Sequence, residues 1–558
     1  MKEPQVFLVG AGPGNAGLLT LRAAECLGRA DLVIHDQLVP PRLLEYAPPG
    51  ARRICVSDLP GCHPERAPHV QHLMIEAARQ GQCVVRLKGG DPFLFGRGAE
   101  EAEALRRAGI AYEIVPGVTA ALGAAAYTGI PLTHRRHASA VALITGHEAG
   151  QGGRTLDWAA LARFPGTLVV YMGLRRLGQI VRALLEQGKA PDTPAAAVHW
   201  ATLGRQRTVE APLADLEEAV RAAGLTSPVI TIIGPVAALR AELAWFEQRP
   251  LFGKRVLVAR PRHQAGGVVQ QLEQLGAVVH VLPAVEVREP ADWSAVDRAL
   301  ADLASFQWLV FTSSNGVHAL VRRLRQTGRD LRALGPLRLA AIGPGTADAL
   351  RSYHLEPDLV PPEFRSESLA AALKERAAGQ RVLLARADRG RDVLRQELAA
   401  VAEVEQVAVY SQVDAIEPGA PALDCLRRGE IDYVMLTSAN IARALLRGLD
   451  EPARARIEAG EVRLVSISPV TSAAVRELGL PVAAEAAAYT TAGVIEAMVK
   501  DALARGAGGS GQDLAPLTES FPRQVEHQGA GEDADNVHRG ADAAEGNTDK
   551  QVEQEQQE

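Results

Sequence analysis

Short apolar runs alternate with Ala- and Leu-rich stretches along most of the chain, and this alternation constrains the fold more than any other feature of the sequence. In the N-terminal part the runs stand at 6–9, 32–34, 84–87, 141–144, 168–171 and 229–233. Runs this short, separated by stretches long enough for a helix, are typical of sheets covered by helices. The sequence therefore predicts an α/β architecture throughout.

The C-terminal part contains an internal repeat. RVLVAR at 255–260 returns as RVLLAR at 381–386, WLVFTSSNGVHAL at 308–320 returns as YVMLTSANIARAL at 433–445, and LAAIGPGTADAL at 339–350 returns as LVSISPVTSAAV at 464–475. In each pair the copies stand 125 or 126 residues apart. Three matches in one order predict two related α/β lobes, with a ligand bound between them beyond the strand ends.

The chain is too long for one core. With 558 residues, and about 150 residues for a typical domain, it should form several compact units. We expect units at 1–248 and 253–503, because a helical stretch ends near Trp245 and a new strand follows Gly253. From Gly506 onward, 12 acidic residues stand against 3 basic ones. We expect this acidic tail, 506–558, to be disordered because it has little apolar surface to bury.

Composition excludes several classes of function. The net charge is −6, and outside the acidic tail the chain is mildly basic without a stripe typical of nucleic-acid binders. No apolar run reaches the length of a membrane span, and the N-terminus lacks the pattern of a signal peptide. The 5 cysteines form no CxxC pair, which argues against a zinc site and favours a reducing compartment. We expect a cytoplasmic protein with no metal, nucleic-acid or membrane partner.

A glycine-rich turn follows the first predicted strand. Its glycines, Gly10, Gly12 and Gly14, give GxGxG, whereas a dinucleotide fingerprint needs its third glycine at Asn15. Asp36, after the second strand, could still play the part of the ribose-binding acid of that fold. An NAD-binding oxidoreductase therefore remains an alternative at this stage.

Longer motifs favour another reading. They are VGAGPGNAGLLTLRA (9–23), VVRLKGGDPFLFGRGAEE (84–101), VPGVTAALGAAAYTGIPLTHR (115–135), TGH (145–147) and YMG (171–173). Over about residues 4–245 the chain thus resembles uroporphyrinogen-III C-methyltransferases of the tetrapyrrole methylase family. The resemblance implies a two-lobed fold, S-adenosyl-L-methionine as cofactor and a homodimer formed through this domain.

The resemblance also implies a cofactor site, made by Pro13, Gly89, Gly90, Asp91, Leu94, Thr119, Ala120, Met172 and Ala201. The cofactor is a sulfonium, so we expect bare glycine backbone at Gly10, Gly12, Gly89 and Gly90 to admit it closely. Core packing is the alternative for Leu94, Met172 and Ala201.

Asp36 matches the family position implied to take a proton from the substrate. A turn or helix-capping aspartate is the alternative. We expect four cations to bind the substrate carboxylates, although each could be an ordinary surface charge: Lys88, Arg97, His134 and Arg135.

Two departures from the family pattern lie near Asp36. The family usually has Asp-Arg where this chain has Asp36-Gln37, and Gly-Lys where it has Val56-Ser57-Asp58. The lysine implied as a proton donor in relatives is therefore missing, with Asp58 near its place. Either another group supplies that proton, or the activity is reduced or shifted.

Residues 253–503 resemble uroporphyrinogen-III synthases. The motifs are VLVARP (256–261), FTSSNGV (311–317), AIGPGTA (341–347), VAVYSQV (407–413) and LTSAN (436–440). The resemblance implies a bilobal fold in which the chain crosses twice between lobes, with one lobe from 253–284 plus 414–503 and the other from 287–410.

In this second domain Tyr410 matches a tyrosine implied to assist departure of the substrate hydroxyl. We expect hydroxyl and guanidinium groups at the strand ends to hold the substrate: Arg260, Thr312, Ser313, Ser314, Thr346, Arg386, Arg389, Thr437 and Ser438. Capping of the following helix is the alternative for each Ser and Thr.

Together the two resemblances imply a bifunctional enzyme of tetrapyrrole synthesis. It would cyclise hydroxymethylbilane to uroporphyrinogen III with inversion of the last ring, and then methylate that product at C2 and C7 to give precorrin-2. The alternatives are that only one activity is retained, an NAD-binding oxidoreductase of the sirohaem pathway, or a scaffold that has lost catalysis. The sequence leaves open whether the pathway ends in sirohaem, cobalamin or another tetrapyrrole.

Overall fold

Four five-stranded sheets organise the described part of the chain. The computed structural model describes residues 5–60, 63–146, 156–417 and 419–506. Two sheets lie in the N-terminal half, from the first strand to residue 243, and two in the C-terminal half, from residue 255 to residue 506. The predicted α/β architecture is confirmed. The acidic tail lies outside the described residues from position 507 onward.

In the N-terminal half the described residues form ten strands and eight α-helices. The strands are β1 Val6–Gly10, β2 Leu32–His35, β3 Arg52–Cys55, β4 Val84–Lys88, β5 Tyr112–Val115, β6 Val141–Thr145, β7 Thr167–Tyr171, β8 Pro194–His199, β9 Arg207–Pro212 and β10 Val229–Ile233. The helices are α1 Leu21–Gly28, α2 His63–Arg79, α3 Gly98–Arg107, α4 Ala120–Thr128, α5 Trp158–Arg163, α6 Leu177–Glu186, α7 Leu216–Ala222 and α8 Arg240–Leu243. Each apolar run found in this half of the sequence lies within one of these strands.

The first sheet sets the position of the site. Its order is β3-β2-β4-β1-β5 and all its strands are parallel. The carboxyl ends of β1, β2 and β4 therefore meet at one edge, which brings the turns after Gly10, His35 and Lys88 together. The second sheet has the order β6-β7-β10-β8-β9, and only β6 and β7 run parallel in it.

Helix α1 shows how the local sequence sets these elements. The side chain of Thr20 accepts a hydrogen bond from the N–H of Ala23 and so caps the first turn. Ala23, Cys26 and Leu27 are buried at the i, i+3 and i+4 spacing of one helix face. That face packs beside β1, so the glycine-rich turn is held between β1 and α1.

In the C-terminal half the described residues form ten strands and eleven α-helices. The strands are β11 Arg255–Val258, β12 Val278–Val281, β13 Val285–Arg288, β14 Trp308–Phe311, β15 Arg338–Ala341, β16 Arg381–Ala387, β17 Glu403–Asp414, β18 Tyr433–Leu436, β19 Arg463–Ser466 and β20 Ala484–Glu485. The helices are α9 Arg262–Gln274, α10 Ser294–Ala301, α11 Ser314–Gln326, α12 Pro344–Arg351, α13 Ser366–Lys374, α14 Val393–Ala399, α15 Pro421–Arg427, α16 Ala439–Arg447, α17 Glu451–Glu458, α18 Pro469–Arg476 and α19 Thr491–Gly506.

The two copies of the internal repeat exchange strands between two lobes. The third sheet has the order β12-β11-β18-β19-β20 and the fourth has β13-β17-β16-β14-β15. The repeated segments begin β11 and β16, β14 and β18, and β15 and β19. Equivalent strands thus occupy equivalent places, β12-β11-β18-β19 in one lobe and β17-β16-β14-β15 in the other, and each sheet takes strands from both copies. The predicted bilobal fold is confirmed.

Equivalent large side chains fill the cores of the two lobes. Trp308 of β14 and Tyr433 of β18 hold the same place in the repeat, and both are fully buried. The Tyr433 hydroxyl donates to Asp501 at 2.9 Å, so this polar atom keeps a partner inside the core.

The N- and C-terminal halves also touch directly. Arg42 forms an ion pair with Glu273 at the end of α9. Gly204, between β8 and β9, lies so close to the turn before β12 that a Cβ on it would stand 2.4 Å from the carbonyl oxygen of Gly276. Within the described ranges, no helix combines the length and the apolar character needed to cross a bilayer.

Candidate active sites

Three glycines at the edge of the first sheet pack backbone against backbone. A Cβ on Gly10 would lie 2.5 Å from the nitrogen of Gly117 and 2.7 Å from the oxygen of Gly90. Gly12 and Gly90 exchange two backbone hydrogen bonds of 3.2 and 2.8 Å. Neighbouring backbone thus takes the place that a Cβ on Gly10 would need, so close packing of the turns requires a glycine there, and ligand access at Gly10 and Gly12 stays a prediction.

Gly89 is different. A Cβ on Gly89 would meet no atom within 4 Å, so the turn after β4 is open at this point. Asp91 holds the same turn in shape, since its carboxylate accepts from the N–H groups of Phe93 at 2.8 Å, Leu94 at 3.1 Å and Gly117 at 3.1 Å. Asp91 thus orders backbone around the open space beside Gly89.

The start of α4 lies beside Gly90, and it is hydrogen-bonded to the end of β7. The hydroxyl groups of Thr119 and Tyr171 lie 2.6 Å apart, and the N–H of Ala121 donates to the same tyrosine oxygen at 3.0 Å. Met172 follows with a positive φ of 52° and an exposed side chain. Left-handed backbone at a long side chain costs energy and is found mostly where function maintains it. Three other predicted cofactor residues pack against the apolar cluster that contains Tyr171: Leu94, Ala120 and Ala201.

A buried ionic network lies under the turn after β2. Arg86 pairs with Asp36 on one side and with Glu101 on the other, where its Nε is 3.0 Å from the carboxylate. The ammonium of Lys88 also lies 3.0 Å from Glu101. Asp36 accepts a further hydrogen bond of 3.3 Å from the N–H of Gly89. The predicted proton acceptor is thus tied directly to the open glycine turn.

The charges of this network control the ionisation of Asp36. Burial alone would raise the pKa of its carboxyl group, but the positive charges of Arg86 and Lys88, together with the hydrogen bonds from Arg86 and Gly89, outweigh burial and lower the pKa. Asp36 therefore stays negatively charged at neutral pH. The same burial lowers the pKa of Lys88, with repulsion from Arg86 acting in the same direction.

The structure does not present all the predicted cations alike. Lys88 is 2% exposed and faces Glu101, so its ammonium is not turned to an incoming carboxylate. Arg97 is exposed and pairs with Glu100 at 2.6 Å. His134 and Arg135 lie in the turn after α4, where Arg135 is exposed.

The residues that depart from the family pattern are also at the surface. Gln37 and Asp58 are both exposed, and Asp58 lies at the end of a short 3-10 turn. Residues 61 and 62, beside this segment, lie outside the described part of the chain.

The C-terminal half contains a cavity of about 190 Å³ where its two lobes meet. Three arginines from β16 and the turn after it line this cavity, Arg386, Arg389 and Arg391. Asn440 reaches it from the other lobe and donates to the side chain of Gln412 at 3.1 Å. The cavity therefore brings three guanidinium groups together, of which Arg389 pairs with Asp414 and Arg391 with Glu367.

Tyr410 stands in the wall of this cavity with its hydroxyl 2.9 Å from the hydroxyl of Ser313. Ser313 also caps α11, because its oxygen accepts from the N–H of Gly316 at 3.1 Å. Burial raises the pKa of Tyr410 above its ordinary value of 10.0. The group is therefore a neutral phenol that can donate a hydrogen bond.

The cavity gathers some of the predicted substrate residues and leaves others out. It is lined by Thr312, Arg386, Arg389 and Tyr410 but not by Arg260, Ser314, Thr437 or Ser438. Arg260 instead donates to the hydroxyl of Thr491 at 3.2 Å, and Ser438 caps α16 through a bond of 3.2 Å from Ile441. Thr346 is buried within α12. For Ser438 the capping alternative accounts for its contacts.

Comparison with known proteins matches both halves to tetrapyrrole enzymes. The family "Tetrapyrrole (Corrin/Porphyrin) Methylases" matches residues 5–217, and the family "Uroporphyrinogen-III synthase HemD" matches residues 267–496. The chain is 34% identical to the porphyrin biosynthesis protein HemD of Ruminiclostridium josui over 456 residues, which is 81% of this chain and 90% of that protein. The chain belongs to the family of fused tetrapyrrole methylases and uroporphyrinogen-III synthases.

Two further relatives match shorter stretches of the chain. The uroporphyrinogen-III C-methyltransferase of Bacillus subtilis (strain 168) is 38% identical over 335 residues, 60% of this chain and 68% of that protein. A siroheme synthase of Chromobacterium violaceum is 48% identical over 243 residues, 44% of this chain and 52% of that protein. We therefore call the N- and C-terminal halves the methylase half and the synthase half.

Sequence reasoning missed the partners of two predicted residues. Arg86 and Glu101 anchor Asp36 and Lys88 in the methylase half, and neither was predicted as a site residue. A signal was present, since Arg86 and Lys88 stand two residues apart in an apolar strand and so share one face of it. Two buried cations on one face require a carboxylate nearby.

Two glycine substitutions separate packing from cofactor access. A Cβ in Gly117→Ala would lie 2.3 Å from the oxygen of Gly90, so we expect a loss of about 1–3 kcal/mol of stability together with weakened binding of S-adenosylhomocysteine. Gly89→Ala places its methyl in open space, so we expect unchanged stability and weakened binding only. Thermal unfolding and calorimetry measure the two effects, and equal behaviour of the two variants would contradict this assignment.

Ionised Asp36 stabilises the folded methylase half, because its folded-state pKa lies below the ordinary value of 3.8. That contribution is present above pH 3.8 and is lost as the pH falls through the folded-state value. Asp36→Asn should therefore lower the midpoint of thermal unfolding at pH 7, and the difference from the wild type should shrink at strongly acid pH. Asp58→Asn, which alters an exposed carboxylate, is the control; a difference for Asp36→Asn that persists unchanged into acid would exclude the mechanism.

Proposed function

We propose that the protein converts hydroxymethylbilane to uroporphyrinogen III in its synthase half and methylates that product twice, at C2 and C7, in its methylase half. Membership of the fused family supports both activities. The observation that carries the proposal is the open backbone of Gly89 beside the ionised carboxylate of Asp36. A cationic methyl donor needs close access, and this turn offers it next to a carboxylate.

The residues of the methylase half fit S-adenosyl-L-methionine, which supplies a methyl group on a positively charged sulfur. Gly89 leaves space for close approach, and Met172 offers an exposed apolar surface after the end of β7. Holding donor and acceptor in line and away from water provides most of the acceleration in such a transfer.

Asp36 can stabilise the positive charge that methylation creates on the ring. The pyrrole carbon gains a methyl group as a cation equivalent, so the ring becomes positive and must lose one proton. The lowered pKa makes Asp36 a weak base, but a cationic ring is a strong acid and gives up its proton readily. We therefore propose that Asp36 first stabilises the cationic ring and then accepts the proton.

The synthase half must remove a hydroxyl group and close a ring. Tyr410 remains a neutral phenol, held by Ser313, and can donate its proton toward the departing hydroxyl so that water leaves. Arg386, Arg389 and Arg391 hold the carboxylates of the bilane. Arg389 also donates to Asp414 at 2.8 Å, so a bilane carboxylate would share this guanidinium with Asp414.

The size of the cleft adds a requirement. A cavity of about 190 Å³ is smaller than sites that enclose even drug-sized ligands, and a bilane with four rings is larger than those. We therefore propose that the lobes move apart as the bilane enters, which would break the hydrogen bond between Asn440 and Gln412.

The geometry of the glycine turn at residues 10–14 does not favour the NAD-binding alternative. A dinucleotide fold needs bare backbone at its glycine turn to approach the pyrophosphate. Here the space beside Gly10 is filled by Gly117 and Gly90, and a Cβ on Gly12 would face the oxygen of Leu18 at 3.1 Å.

The proposal includes the finer features implied by the resemblance. We assign residues 1–248 to the methylase domain and 253–503 to the synthase domain, whose lobes comprise 253–284 plus 414–503 and 287–410. We also place the enzyme in the cytoplasm as a homodimer formed through its methylase half, without a nucleic-acid or membrane partner.

The mass of the tetrapyrrole product tests the overall function. Purified protein given hydroxymethylbilane and S-adenosyl-L-methionine should yield precorrin-2, and without the methyl donor it should yield uroporphyrinogen III. Formation of uroporphyrinogen I alone would refute the synthase activity. Accumulation of unmethylated uroporphyrinogen III under excess donor would refute the methylase activity.

The role of Tyr410 has its own test. Tyr410→Phe should reduce uroporphyrinogen III formation by about 100-fold, the lower end of the usual effect of a general acid. Methylation of supplied uroporphyrinogen III should be unchanged, because it takes place in the other half. Tyr353→Phe is the control, since the Tyr353 hydroxyl lies 3.0 Å from His318 outside the cleft; full synthase turnover in Tyr410→Phe would remove Tyr410 from the mechanism.

A further inference from the structure

Thr202 adopts a backbone conformation that a β-branched residue rarely takes. It lies in the connection between β8 and β9, residues 200–206, with a φ of 72°, and it is 1% exposed. Such a conformation is strained for threonine and persists only when its surroundings maintain it. The contacts of Thr202 explain what maintains it.

Both branches of the Thr202 side chain contact elements of the cofactor site. The hydroxyl accepts a hydrogen bond of 3.0 Å from the N–H of Asn15, and it lies 3.1 Å from where a Cβ on Gly14 would stand. The methyl group lies 3.1 Å from the corresponding position on Gly123 of α4. The ring of Pro13 lies 2.6 Å from that same Cβ position on Gly123. Thr202 thus fills the space between α4 and the turn at residues 13–15, which we call the cofactor turn.

Two further contacts hold the backbone of Thr202. Its N–H donates to the side chain of the buried Gln206 at 2.9 Å. Gln206 in turn donates to the carbonyl of Tyr127 at 3.2 Å and to Glu247 at 2.9 Å. These bonds anchor the connection to the C-terminal end of α4.

The synthase half supports the same connection from behind. Gly204 packs against the backbone of Gly276 and Ala277, which precede β12. The nearby ion pair of Arg42 with Glu273 fastens the two halves at this contact. A cavity of about 330 Å³ lies between the rest of this connection and the synthase half, so Gly204 is the point at which the synthase half supports it.

We propose that Thr202 is a positioning residue for methyl transfer: its hydroxyl holds the cofactor turn in the shape that binds S-adenosyl-L-methionine, and the synthase half supports it through Gly204. This inference rests on the proposed methylase function. It assigns to the synthase half a second role, as a back wall of the neighbouring cofactor site.

Two matched pairs of variants isolate the hydroxyl. Thr202→Val keeps the shape of the side chain but leaves the N–H of Asn15 without its acceptor, whereas Thr202→Ser and Thr202→Ala differ from each other only in that oxygen. We expect Val and Ala to weaken S-adenosylhomocysteine binding and raise the KM for the methyl donor about tenfold, the effect of one lost hydrogen bond in a buried site. Ser should restore both values to within about threefold of the wild type, and kcat at saturating donor should change little in all three.

Calorimetric titration of the full chain with S-adenosylhomocysteine separates the outcomes. If the wild type does not bind, the proposed function fails. If the wild type binds and the Val variant binds equally well, or if Ser is as impaired as Ala, the inference is overturned. Thr193→Val is the control, because the Thr193 hydroxyl donates to the carbonyl of Ala190 at 2.7 Å, outside the contacts that hold Thr202.

The support from the synthase half is tested with Gly204→Ala. Its Cβ would lie 2.4 Å from the oxygen of Gly276, so the connection must shift. We expect a raised KM for the methyl donor with an intact fold, measured by thermal unfolding of the full chain. An unchanged KM would overturn the role of the synthase half.

Discussion

The close packing of Gly10, Gly90 and Gly117 is the contact on which the methylase site depends. It draws the ends of β1 and β4 against the turn after β5, where any side chain would collide with backbone. These turns are packed tightly together. Gly89, the residue before Gly90, lies at their edge and has free space beside it. The site is therefore an opening defined by rigid backbone, and the side chains around it adjust charge and shape.

Charge is arranged differently in the two sites, in keeping with their chemistry. In the methylase site the two carboxylates Asp36 and Glu101 face the two cations Arg86 and Lys88, so the buried network is balanced in charge. The synthase cleft collects guanidinium groups instead and places a neutral phenol among them. The two sites therefore differ in their charged groups, with a paired carboxylate beside the glycine turn in one and guanidinium groups around a phenol in the other.

Much of this could be predicted from the sequence, and the remainder depended on contacts between distant residues. The apolar runs located strands, because a buried parallel strand must be apolar on both faces, and the repeat predicted two related lobes. The sequence could not show that Gly10 faces Gly117, since that contact joins residues 107 positions apart. Nor could it show that Lys88 is turned inward, because a lysine in a motif looks the same whether its partner is Glu101 or a substrate.

The exchange of strands between the lobes of the synthase half affects how the chain can be assembled on the ribosome. The sheet with β13 to β17 is built from one uninterrupted stretch of polypeptide, so it is complete as soon as Asp414 has emerged. The other sheet begins earlier, with β11 and β12, but lacks β18, β19 and β20 until the end of translation. The later-encoded lobe can therefore complete its sheet first. The edge of β11 that pairs with β18 stays unpaired while more than 170 residues are synthesised.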